Sequence, residues 1–142
     1  MSRTDTLERF AATPDRLREA AEHAGPPPAG EWAATDVVSH LVAVERAVWQ
    51  ARLATLEHEA EPTWTPQEPG LADDLAGATL EDALHAFADE RIRTVATVTG
   101  LDDAGWARAG IHTTYGRLDI EGLLQVAIDH DEEHLASIEA LA

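Results

Sequence analysis

The last stretch of the chain, Asp119 to Leu141, constrains the fold most, because as a helix it has one apolar face and that face carries two histidines. With Ile120 as origin and about 100° per residue, Leu123, Leu124, Ala127, Ile128, Leu135, Ile138 and Leu141 fall on one arc. His130 and His134 lie on its flank, so both imidazoles point inward, about 6 Å apart along the axis. An inward histidine can be a core residue bonded to a carbonyl. Two in register can instead hold one metal ion, given a third ligand from a facing helix.

The rest of the chain has the same period. The 142 residues suit one domain (1–142) with one core, and apolar residues at three- and four-residue spacing make the expected class all-α. Only the segment near Ile111 to Tyr115 has strand-like chemistry. A first helix is expected from Thr4 to His23, kinked at Pro14, with Leu7, Phe10, Ala11, Leu17, Ala20 and Ala21 on its inner side. Gly25 and the three prolines after it end this helix.

A second helix is expected from about Ala34 to His58, led in by Trp32. From His40, the residues Val37, Leu41, Val44, Ala47, Val48 and Ala51 share one arc, which makes His40 a third inward histidine. Glu45, about 140° around from His40, is expected to turn away from it, and His58 to sit at a frayed, exposed end.

Glu59 to Ala78 is a long proline-containing connection, long enough for the third helix to run parallel to the second. Thr79 to Asp82 resembles a capping box that opens the third helix, which ends at Gly100. Leu80, Leu84, Phe87, Val95 and Val98 form its inner face, and Arg91 falls in the middle of them. Its guanidinium must either snorkel outward or find a buried partner. Leu101 to Ala107 suits a short helical turn, and Gly110 to Leu118 an extended or hairpin-like lead into the last helix, with Asp119 as N-cap.

Charge and composition exclude several functions. With 27 acidic side chains against 10 Lys plus Arg, the formal charge is −17, which repels phosphate backbones and anionic lipid. No nucleic-acid or membrane partner is expected, and cations are attracted. No apolar run approaches a membrane span, and the N-terminus lacks a signal peptide's apolar region, so a cytoplasmic location is expected. The chain has no cysteine, so disulfides and thiol ligation are excluded, and any nucleophilic sulfur must come from a substrate or cofactor.

The run from His130 to His134 satisfies the His-x-x-Glu-His pattern of one group of zinc proteases and narrowly misses that of another. Those enzymes take a third ligand well downstream, and only eight residues follow His134. The third ligand is therefore sought upstream, at His40. Three neutral imidazoles leave a coordination position open, as catalytic sites do. Asp131, near the centre of the inner arc, can orient an imidazole, pair with Arg91 or face a water-filled pocket. Glu132 and Glu133 are expected to face solvent.

The sequence "WAATDVVSHLVAVE" around Trp32 and His40, with "YGRLDIEGLLQVAIDHDEEHLASI" near the C-terminus, resembles the DinB/YfiT-like family from about Thr13 onward. The resemblance implies a four-helix bundle with a long crossover between helices 2 and 3. It also implies a divalent ion, zinc or nickel, held at His40, His130 and His134, and a homodimer. Related branches include thiol-dependent transferases and maleylpyruvate isomerase-like enzymes. Ala33 stands where the family usually has a Ser or Thr cap, so Thr35 is expected to cap instead and start the helix later. The function expected is a metal-dependent enzyme acting on a small-molecule substrate, a thiol transferase with a low-molecular-weight thiol as cosubstrate or a hydrolase. The alternative is a non-catalytic metal-binding or dimerising bundle. No general base is identified beyond the ligands.

Overall fold

A computed structural model describes residues 2–142. Ser2 caps the first helix, α1 (Arg3–Glu22), by accepting from the Asp5 amide, and Pro14 lies inside it without breaking it. Pro14 has no N–H to give the Phe10 carbonyl four residues back. That carbonyl accepts from Arg91 Nη1 at 2.8 Å instead, so the proline opens a backbone acceptor toward the core. The buried stripe of α1 is Thr6, Phe10, Thr13, Leu17 and Ala21, while Ala11, expected inside, is exposed.

The second helix, α2, runs unbroken over 34–58 but is not uniform. It is α-helical over Ala34–Val44, π-helical over Glu45–Gln50 and α-helical again over Ala51–His58. Each π turn takes up extra chain, so residues beyond it lag by about one position relative to a 3.6-residue period. This corrects the inner face expected above. Ala47 and Ala51 are exposed, and Trp49, Arg52, Leu53 and Leu56 are buried in their place. Thr35 does not cap α2. The helix starts at Ala34 with Ala33 as N-cap, and the Asp36 carboxylate accepts the Ala33 N–H at 3.0 Å.

Thr79 opens α3 (Leu80–Thr99) with the expected reciprocal capping box. A short helix, α4 (Asp103–Ala107), buries Trp106, and Asp119 caps the last long helix, α5 (Ile120–Glu139), by accepting the Gly122 N–H at 2.8 Å. In the bundle α1 packs against α5 and α3, and α2 packs against α3 and α5. Helix directions follow from the pairings. Arg46 meets Glu90 and Gln50 meets Thr94, so α2 and α3 run parallel, as the long crossover permits. Thr13 meets Asp131 and Arg16 meets Glu132, so α1 and α5 are parallel too.

The all-α expectation holds only approximately, because a three-stranded sheet closes one end of the site. β1 (Thr63–Trp64), from the crossover, pairs in parallel with β2 (Ala109–His112), which pairs antiparallel with β3 (Gly116–Asp119). Gly116, at φ +78, makes the turn between β2 and β3. Gly110 lies directly under the Trp64 ring, where a Cβ would come within 2.6 Å of it. The missing side chain lets the indole lie on the strand.

Candidate metal centre

α2 presents His40 to the interior two turns after its start, and α5 presents His130 and His134 on successive turns facing it. The three imidazoles meet, each offering a ligand atom within 4.8 Å of the others. Ring centroids are 5.7 Å apart for His40 and His130, 4.8 Å for His40 and His134, and 4.5 Å for His130 and His134. Trp32 stacks at 5.1 Å on His40, and Trp49, brought round by the π segment, sets its edge against His130 at 5.9 Å.

The nitrogens of this cluster are disposed for coordination. His40 Nδ1 is 3.1 Å from the Gly70 carbonyl, to which it donates, so Nε2 keeps its lone pair. The crossover thus fixes one tautomer, the usual task of a second partner on a ligating histidine. His130 Nδ1 is buried and has no hydrogen-bond partner. Burial lowers the His130 pKa to about 4, helped by His134, His40 and Arg91. Burial and His40 also lower that of His134, against the carboxylates of Glu133, Glu68 and Asp131. Both rings are held neutral, the form that coordinates a metal. The donor set, the orphaned nitrogen and the suppressed protonation all fit a divalent ion.

Of the openings left for Arg91 and Asp131, the structure takes the buried pair. Arg91 is 1% exposed, and its guanidinium makes two hydrogen bonds to Glu45, at 2.9 and 2.8 Å, and two to Asp131, at 2.8 and 3.0 Å. It stacks 3.8 Å over the Phe10 ring, and Thr13 donates to the same Asp131 carboxylate. Asp131 therefore packs α5 onto α1 and α3 without bonding to an imidazole. Glu45 turns away from the histidines but is fully buried on Arg91. Burial pushes its pKa up, opposed by Arg91, whose own pKa the two carboxylates hold above the ordinary value. Glu132 is half-exposed on Arg16, and His58 and His85 lie on the surface.

Beside His130 a cavity of about 290 Å³ opens between α2, α5, the crossover and the sheet. Two of its lining residues were not expected there. His112 is buried on β2, its Nδ1 accepting the Thr114 and Tyr115 amides at 3.0 and 3.2 Å. Arg52 reaches the cavity because the π segment turns it inward. No helical period could have placed the first, and only an irregular one places the second.

A helical bundle with a three-histidine cluster facing a cavity is a class of fold in which metal sites are common. The chain belongs to the DinB superfamily, whose sequence profile matches residues 1–138. Among solved structures it is similar to YfiT from Bacillus subtilis, described as a probable metal-dependent hydrolase with an unusual four-helix bundle topology. The TM-score is 0.76 at 21% identity, over 99% of this chain and 87% of that one. No curated protein matches in sequence. Among the described residues no helix is long and apolar enough to cross a membrane.

Proposed function

We propose that this chain is a divalent-metal-dependent enzyme acting on a small molecule, with His40, His130 and His134 as the metal ligands. The observation that carries the reading is the buried, unpartnered His130 Nδ1 within a cluster of three imidazoles. Once bound, a divalent ion on three imidazoles supplies an exchangeable position and Lewis acidity, lowering the pKa of a water or thiol taken there. No carboxylate or fourth histidine joins the cluster among the described residues, which favours an enzyme over a structural module with a filled shell. The protein's own groups hold the arrangement. Gly70 fixes the His40 tautomer, Trp32 and Trp49 flank the rings, and the cavity beside His130 gives access for a substrate.

The finer reading is transfer of a low-molecular-weight thiol to an electrophile, with zinc or nickel as the ion. A chain without cysteine can do sulfur chemistry only on a thiol brought from outside. Hydrolysis, the activity suggested for YfiT, is the second reading, with water in place of the thiol. Cobalt(II) substitution separates them. Thiol transfer predicts a sulfur-to-metal charge-transfer band near the ultraviolet on adding small thiols, absent in His134→Ala. A spectrum indifferent to every thiol, with cleavage of activated esters, would favour hydrolysis. Indifference to thiols with no cleavage and four protein ligands would favour the structural module.

A further inference from the structure

Among the described residues two arginines are buried, and only one has a counter-charge. Arg91 is matched by two carboxylates, whereas Arg52, 6% exposed, donates from Nη2 to the Thr65 carbonyl at 3.0 Å. Its guanidinium carbon lies 5.5 Å from the Trp49 ring and 5.7 Å from the Trp64 ring, over their faces. Burial lowers its pKa, with no carboxylate near enough to oppose the effect. Burying a charge without a partner is costly, and in a chain with 27 acidic residues partners are abundant. Glu68, Asp129 and Glu133 line the same cavity as Arg52, yet none forms an ion pair with it. Arg52 is the only Lys or Arg among the lining residues.

A second residue with a donor to offer lines the same cavity. His112 spends Nδ1 as an acceptor for two backbone amides, so in the neutral ring the proton sits on Nε2, which has no protein acceptor among the described residues. Arg52 and His112 both line the cavity that His130 also lines.

We propose that Arg52 and His112 form a subsite for a carboxylate group of the substrate, which places its reactive part toward His130. This rests on the cavity being the substrate site of the enzyme proposed above, and adds the class of molecule it takes. A guanidinium fork matches a carboxylate in two parallel hydrogen bonds. The three acidic side chains around the cavity oppose a doubly charged phosphate more than a singly charged carboxylate. The Trp49 and Trp64 rings packed on the guanidinium stiffen it before the ligand arrives, which limits the ordering cost of binding.

Metal-free protein is the reagent of choice, because the anion is then read apart from the ion. Propionate, benzoate and inorganic phosphate are titrated at low ionic strength, following tryptophan fluorescence and calorimetry. The expected result is saturable binding of a monocarboxylate, weakened about tenfold or more in Arg52→Met and less in His112→Phe. Arg16→Met, remote on α1, leaves it unchanged. Should Arg52→Met fail to fold, Arg52→Lys keeps the charge without the fork and is expected to weaken binding in the same direction. Absence of saturable monocarboxylate binding, equal binding by the Arg52 variants, or tighter binding of phosphate overturns the proposal. Failure of the metal reading shows separately, as absence of bound ion in the purified protein before any metal is stripped from it.

Discussion

Replacing Arg91 with Met removes the one positive charge that two buried carboxylates and a freed backbone carbonyl share. Glu45 is 0% exposed and Asp131 3%, and four of the five hydrogen bonds they lose are charge-assisted pairs no longer than 3.0 Å. Methionine fills much of the space but satisfies none of the oxygens. Breaking a buried pair by removing one partner costs about 3–5 kcal/mol, because the surviving charge stays unpaired. For a chain of this size that corresponds to a melting temperature lower by about 10–20 °C. The effect has a pH signature. Glu45 already has a folded pKa above its unfolded value of 4.5, and without Arg91 it rises further. The folded variant then binds more protons than the unfolded one above pH 4.5, so its stability increases as pH falls through that window. Circular dichroism melts of both proteins between neutral and mildly acidic pH test this. A variant that melts within a few degrees of the parent at neutral pH, or whose deficit does not shrink on acidification, would mean that Arg91 does not hold the two buried carboxylates.

Other consequences follow from the site and its walls. Metal-free protein should lose stability as pH falls from 6.5 toward 4, because unfolded His130 takes a proton there that the folded ring refuses. After allowance for its partial exposure this amounts to about 2 kcal/mol, measurable by urea titration at several pH values. Gly110→Ala drives a Cβ against the Trp64 ring and should cost about 1–3 kcal/mol while shifting the tryptophan emission. Unchanged emission would mean that the indole does not lie on the strand. With a formal charge of −17, the protein should not bind duplex or single-stranded DNA at physiological salt, and micromolar affinity in a titration would contradict that.

Legibility of the fold in the sequence followed the regularity of the helices. The capping residues Thr79 and Asp119 and the arc of α5 could be read because each obeys a local rule. His40, His130 and His134 came together because each lies on a regular α-helical stretch, where a 3.6-residue period gives the face correctly. That period failed in the π segment. A 3.6-residue period turns Ala47 and Ala51 inward, and nothing in Glu45 to Gln50 signals the wider turn that buries Arg52 instead. His112 and β1 were missed for another reason. A two-residue strand has too few residues to show alternation, and its partner lies 48 positions away, Thr63 against Ile111. The link from Pro14 to Arg91 was hidden in the same way, since a proline announces a missing donor but not which side chain will take the freed carbonyl.

Three inward imidazoles should hold one divalent ion. The direct measurement is elemental analysis of protein purified without a histidine tag, beside His40→Ala, His130→Ala and His134→Ala, each checked for folding by circular dichroism. About one divalent ion per chain is expected in the parent, with a large loss of occupancy in all three folded variants. Full occupancy in His40→Ala, or no ion in the parent even after incubation with zinc or nickel, would contradict it.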